Sequence, residues 1–300
     1  MTFIQESFSI KDLENLSGIK AHTIRIWEQR YHLLKPIRSE TNIRNYPLSE
    51  LRKLLNISIL KNSNYKISKI AELSEEEINS AIAALPSNQS QYFQIKINAL
   101  IVAMLELNKH KFNAVFKDCT ESHSFYDTFL KVFIPLFEKI GLMWQSNVIQ
   151  PANEYFISNL VRQKLYAAID NESIDITAKV DELFVILLPL NEIHDMGALF
   201  INYQLIAKKK NVIYLGPNIS IESLTILNEI EKEKLTYIMH WTVCPPDKEI
   251  SHYLNQFEQI LTPNDRLIIA GRKTGKIKNA QNMPTNFHFL NKMDELNKFL

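Results

Sequence analysis

Residues 183–197 read LFVILLPLNEIHDMG, and this stretch decides the C-terminal fold. Leu183 to Leu190 is the longest apolar run in the chain. Its length suits a buried strand and falls far short of the roughly 20 residues that a membrane span needs. Glu192-Ile193-His194-Asp195-Met196-Gly197 follows directly and opens a helix. In an open parallel sheet, ligands lie beyond the carboxyl ends of the strands. A histidine placed there can turn one ring nitrogen to a ligand. A carboxylate two residues earlier can hold the other nitrogen and fix the tautomer, an arrangement common behind metal-bound histidine. Gly197 lets a planar ligand or a loop approach the backbone closely. Taken alone, E-x-H-x-x-G reads as an ordinary helix start, so the surroundings decide its meaning.

Downstream, short β-rich runs at Val212–Leu215, Tyr237–Val243, Leu267–Ala270 and Phe287–Leu290 alternate with helical stretches at Gly197–Lys208 and Ile221–Glu231. That alternation predicts a doubly wound parallel α/β domain of flavodoxin-like type over 179–300. Upstream, apolar residues recur at helical spacing: Ile97, Leu100, Ile101, Met104, Leu105, then Phe129, Val132, Phe133, Leu136, Phe137. They predict a bundle of about four helices over 92–178. Residues 86–91 are polar, uncharged and marked by Pro86, as a linker would be. Residues 1–85 hold short helices punctuated by turn residues. The expected chain is therefore multi-domain, α followed by α/β.

Of the 300 residues, 46% are hydrophobic and 22% charged, ordinary for a globular protein, and the net charge is only +1. Charge is nevertheless concentrated. Between Gly18 and Ile70 six Lys and five Arg face Glu28, Glu40 and Glu50, a local balance of 11 − 3 = +8. Cys119 and Cys244 lie far apart and form neither a metal-spaced pair nor a disulfide framework, which fits a reducing compartment. Met1 to Ser9 lacks a basic stretch followed by an apolar one. The expected location is the cytoplasm.

Ser9 can cap a helix running through Leu13 and Leu16, Ser17-Gly18-Ile19 makes a turn, and a second helix follows from about His22 to Arg30. Helix, glycine turn, helix is the helix-turn-helix pattern, with Thr23 and Arg25 at the end that meets base edges. Residues 35–46 read as a hairpin wing turning at Glu40 to Asn42, and Ser49 is expected to cap the following leucine-rich helix. The series Thr23/Arg25/Trp27/Glu28, Pro36/Arg38, Arg44/Tyr46, Ile67/Ser68/Ile70 resembles the winged helix of the MerR family. The wing departs from it in carrying Asn42-Ile43 where Gly-Tyr is usual, and Asn tolerates the positive φ of such a turn. The resemblance implies that Thr23, Arg25 and Tyr46 contact double-stranded DNA and that Arg38 and Arg44 hold phosphates. It also implies that the protein binds a palindromic operator as a dimer or higher oligomer.

Glu192, His194 and Gly197, then Leu205 and Val212 to Gly216, resemble the cobalamin-binding fold of corrinoid enzymes and sensors. In that family the histidine ligates cobalt from below. The run Pro135 to Trp144, followed at a distance by Glu154, resembles the helical cap that precedes such domains. From end to end the order resembles the CarH/LitR type of light-responsive repressor. This resemblance implies a cobalamin cofactor, adenosylcobalamin among the forms, with His194 as metal ligand. Trp144, Glu154, Glu192, Gly197, Thr242 and Gly271 are the implied cofactor contacts.

Four departures bear on that implication. Tyr155 and Gln145 stand where the light-responsive proteins carry histidines, and Gln is a poor cobalt ligand, which argues against the usual light-driven linkage. His240-Trp241-Thr242 replaces a Ser-x-Thr, and Gly271-Arg272 replaces a Gly-Gly that leaves room for the nucleotide tail. Three readings stay open: a cobalamin-responsive regulator, a regulator with a degenerate cofactor-free domain used for association, and a corrinoid carrier or methyltransferase component. No convincing nucleophile or acid–base pair is present, so the expectation is not an enzyme.

Overall fold

A computed structural model describes residues 7–85, 89–145, 149–172, 180–230, 232–243, 250–277 and 284–300. Pro86, Ser87, Asn88 and Cys244, and the side chain of Gln145, fall outside the described residues. The chain divides into two compact units, 1–161 and 162–300. Among the described residues no helix is long and apolar enough to cross a membrane.

In the first unit, helix α1 (Ile10–Ser17) begins as expected. Ser9 accepts from the Asp12 amide and Asp12 accepts from the Ser9 amide, a reciprocal box that satisfies two otherwise orphaned donors. Gly18, at φ 74°, closes the helix through its N–H to the Glu14 carbonyl. Helix α2 (Ala21–Tyr31) buries Ile24 and Trp27. Strands β1 (Ile37–Arg38) and β2 (Arg44–Asn45) pair antiparallel. Asn42 takes the left-handed conformation at the wing turn, φ 62°, so asparagine serves where glycine is usual. Helix α3 (Leu48–Asn62) starts one residue before the serine expected to cap it. Pro47, extended at φ −65° and ψ 164°, sets the entry, and Ser49 lies exposed in the first turn.

Helices α4 (Ile67–Ile70) and α5 (Glu75–Ala83) complete the N-terminal module. Helix α6 (Gln89–Leu105) begins inside the stretch expected as linker, so residues 89–91 are helical. Helix α7 (Lys109–Ser122) follows, capped by Asn108. A short α8 (Phe125–Thr128) runs through a π-helical turn, Phe129–Phe133, into α9 (Ile134–Gln145). Pro135 accounts for that turn: it cannot donate an amide, and its ring crowds the carbonyl four residues back, so the ladder widens locally. With the part of α10 (Pro151–Glu172) that ends at Val161, these elements make four helices; the rest of α10, from Arg162, belongs to the second unit. The core of the four helices includes Leu100, Phe112, Phe129, Phe133, Leu136 and Ile157, all buried.

The second unit contains a five-stranded, all-parallel sheet of β3 (Val180–Leu187), β4 (Asn211–Gly216), β5 (Lys232–His240), β6 (Arg266–Ala270) and β7 (Phe287–Leu290), in the order β4-β3-β5-β6-β7. This is the doubly wound order expected from the alternation. Side chains on β3 divide between two faces. Leu183, Val185 and Leu187 pack with Leu224, Trp241 and Phe257, the last on helix α12 (Ile250–Glu258). Phe184 and Ile186, with Leu188 just past the strand, pack with Ala198, Ile201 and Leu205 of helix α11 (Met196–Ala207). Both faces of the sheet are therefore covered, which explains the unbroken apolar run of β3.

Two differences concern element ends. The strand expected over Leu183–Leu190 stops at Leu187, two residues before Pro189, which has no amide to continue a ladder. The strand expected over Tyr237–Val243 stops at His240, freeing Trp241 to Val243 as a loop, and Glu222–Glu229 is 3-10 rather than α-helical.

Gly271 has φ 104°, and a Cβ there would collide with the Trp241 backbone, whereas a Cβ on Gly275 in the short helix α13 (Thr274–Ile277) meets nothing within 4 Å. Gly271→Ala is therefore expected to destabilise by about 1–3 kcal/mol. Gly275→Ala should be neutral or slightly stabilising. Urea denaturation of the two variants checks this. Equal midpoints would contradict it.

Candidate functional site

Two groups of residues carry chemistry. In the winged module, α2 presents exposed Arg25 and half-buried Thr23, whose hydroxyl lies 3.3 Å from His22 Nε2. Arg38 is exposed on the wing and donates to Asn42 Oδ1 at 2.6 Å, bracing the turn. Glu28 links wing to helix. Its two carboxylate oxygens accept from Arg44 Nε at 2.9 Å and from the Tyr46 hydroxyl at 2.8 Å. The carboxylate raises the Arg44 pKa through that hydrogen bond. Burial, then the Glu28 hydrogen bond, pushes the Tyr46 phenol far up.

Tyr46 thus corrects an expectation. Assigned to DNA by resemblance, it is fully buried, with its backbone bridged to Phe8 by amide–carbonyl bonds of 2.7 and 2.8 Å. It anchors the wing from inside. Glu28 belongs to the quoted motif, but its part as the acceptor for both wing residues is not visible in the one-dimensional pattern.

In the second unit the loop following β3 carries Glu192 and His194. The Glu192 side chain is completely buried, and its Oε1 lies 2.5 Å from His194 Nδ1. The same oxygen accepts the amides of Ile193 and His194 at 3.0 Å. Oε2 accepts the amides of Thr242 and Val243, in the loop following β5, at 2.9 and 2.5 Å. Burial alone would raise this carboxyl. The hydrogen bonds from His194 and from the Val243, His194 and Thr242 amides outweigh it and hold the group well below the usual carboxylate range. Strands β3 and β5 are neighbours in the sheet, and the connections leaving them run in opposite directions along it, so Glu192 spans the topological switch point.

The His194 side chain is half exposed. With Nδ1 engaged by Glu192, a metal can meet this imidazole only through Nε2. Among the described residues no group of three or more His, Cys, Asp or Glu side chains is gathered for a metal ion. His194 is thus a single candidate donor, held in place by the Glu192 carboxylate. Asp195, at the start of α11, accepts from Arg162 Nη2 at 2.9 Å and so ties the loop to α10. Sequence reading missed this pair, whose partners lie 33 residues apart.

Parts of this same chain lie close over both candidate glycines. The space over Gly197 is filled by this chain's own His240, because a Cβ at 197 would collide with the His240 ring. His240 is buried and hydrogen-bonded to the His194 backbone, and burial pushes its imidazole down to about 4, so it is neutral at pH 7. The space over Gly271 is filled by the Trp241 backbone. Trp241 is completely buried, edge-on to Tyr253 at 5.7 Å, while Arg272 points to solvent. Thr242 enters the site through its amide. In the first unit, Trp144 Nε1 donates to Glu154, bringing these two expected contacts together where α9 gives way to α10.

Residues 8–77 match the MerR HTH family regulatory protein model, and residues 96–169 match a B12 binding domain. The chain thus contains a segment that matches the MerR HTH model, followed by one that matches the B12 binding domain model. It is 23% identical over 166 residues to the HTH-type transcriptional repressor CarH of Myxococcus xanthus, covering 54% of this chain and 56% of that protein. The chain therefore spans about half the length of this curated relative. In fold it is similar to the Methanosarcina barkeri monomethylamine corrinoid protein, with a TM-score of 0.53 and 15% identity over 69% of this chain and 97% of that one.

The wing anchor allows a clean double-mutant test. Glu28→Ala leaves the buried Tyr46 hydroxyl without its acceptor and should cost about 1–3 kcal/mol. Adding Tyr46→Phe removes the stranded donor, so the double variant should be less destabilised than the sum of the singles. Thermal melts of the four proteins measure it, and strict additivity would refute the pairing.

Proposed function

We propose that this protein is a DNA-binding transcription regulator that senses a cobalamin. The single observation that carries the reading is the buried Glu192 carboxylate holding His194 at the carboxyl edge of the sheet, in a chain that begins with a cationic winged helix. His194 Nε2 is the ligand atom offered to cobalt, and Glu192 fixes the tautomer from behind. The Thr242 and Val243 amides keep Glu192 ionised and stationary. Trp144 and Glu154 are the helical module's assigned contacts. The cofactor would supply the cobalt, and His194 Nε2 would hold it by donating its lone pair. Occupancy can alter DNA binding only through different affinity for two states of the protein.

On the DNA side, Arg25 and Thr23 are assigned to the duplex, and Arg38, with Arg44 held by Glu28, to phosphates. The reading includes a palindromic operator, a dimeric or higher assembly, a cytoplasmic location and no catalytic activity. It takes 1–85 as the DNA module, 92–178 as the helical module and 179–300 as the α/β module. A second reading keeps the regulator but makes the α/β module a cofactor-free association domain. The His240 ring over Gly197 and the Trp241 backbone over Gly271 favour it.

Absorbance titration of the apo-protein in the dark with adenosyl-, methyl- and hydroxocobalamin separates the two. Saturable binding with a histidine-ligated spectrum, absent in His194→Ala, is expected. No binding of any form would leave the second reading.

For DNA, affinity for a duplex selected from a random pool is expected to fall roughly 10³-fold or more between about 50 and 200 mM salt if six or more phosphates are engaged. Arg25→Ala and Arg38→Ala should each weaken binding. Affinity indifferent to salt would argue against a nucleic-acid surface.

A further inference from the structure

The outward stripe of α2 consists of His22, Arg25, Ile26, Gln29 and Arg30, while Ile24 and Trp27 face the core. Four of the five outward side chains carry charge or hydrogen-bonding groups. Ile26 does neither, yet it leaves 51% of its surface to water. An isolated apolar residue on a protein surface is ordinary. This one sits within a cationic stripe on the helix that the DNA-binding reading places against the duplex. Glu28 is the one acid of α2, and it is turned to Arg44 and Tyr46, so no carboxylate is left on the stripe. A surface of that charge complements phosphate.

The major groove presents hydrogen-bonding edges and one apolar group, the C5-methyl of thymine. Resting on the DNA-binding reading above, we infer that Ile26 is a specificity-determining residue that packs against a thymine methyl in the operator. Neighbouring Arg25 and Gln29 are the side chains able to read guanine and adenine edges. Arg30, further along the helix, keeps the stripe cationic. Ile26 therefore adds the one kind of readout that its polar neighbours cannot supply.

The test uses the full-length protein and the duplex it selects from a random pool. Each thymine of that duplex is replaced in turn by deoxyuridine, which deletes only the methyl group. For the wild type, at least one replacement is expected to weaken binding about fourfold, the size of one buried methyl group. Ile26→Ala, an exposed and structurally mild change, should bind the thymine and deoxyuridine duplexes equally at that position and keep the wild-type salt dependence. Indifference of the wild type to every replacement would overturn the inference, as would undiminished sensitivity in Ile26→Ala. A variant that changed only its sedimentation would overturn it too, and would point to a second copy of the chain against this face. Failure of the wild type to select any duplex in a salt-sensitive way would remove the DNA-binding reading itself. Selection without methyl sensitivity removes this inference alone.

Discussion

A carboxylate withdrawn from water must be met by hydrogen bonds or give up its charge, and Glu192 is the residue on which this constraint falls hardest. Its two oxygens collect four backbone amides and one imidazole nitrogen, drawn from the loops that follow β3 and β5. Those loops carry the residues with site chemistry in the second unit. The sheet order brings the ends of β3 and β5 together, and Glu192 fastens the loops to each other and orients His194. Trp241, whose ring fills the core beneath, fixes where the Thr242 and Val243 amides emerge. The Arg162–Asp195 pair adds a second tie, from α10 to the residue beside His194.

The winged module solves a similar problem with the same chemistry. Glu28 gathers one guanidinium and one phenol from the wing and holds them against α2. A two-stranded hairpin with two paired residues per strand has little intrinsic stability. Its orientation comes from that carboxylate and from the Phe8–Tyr46 bridge at its base. In both units a shielded acid plays a positioning part. It fixes the geometry of basic and aromatic neighbours that lie closer to the expected ligand.

Much of the architecture was legible in one dimension because it depends on local pattern. Ser9 and Asp12 forecast their own cap, Gly18 its own turn, and the alternation of apolar runs with helical stretches forecast an all-parallel sheet. Strand ends were less legible, since they depend on where a neighbouring strand stops offering partners. The cap of α3 was misplaced because Pro47 acts through backbone geometry that a serine beside it obscures.

Within the candidate sites, the sequence determined which chemical groups exist and how far apart they can lie along one strand, loop or helix turn. Glu192 and His194 are two residues apart in one loop, so their contact is a local matter. Tertiary structure alone decided that Glu192 also takes amides 50 and 51 residues away. It decided too that Tyr46 faces inward, and that His240 and the Trp241 backbone occupy the space above two glycines. The reason is physical: a residue's burial and its long-range partners are set by packing between elements distant in the chain, and periodicity and spacing carry no record of that packing.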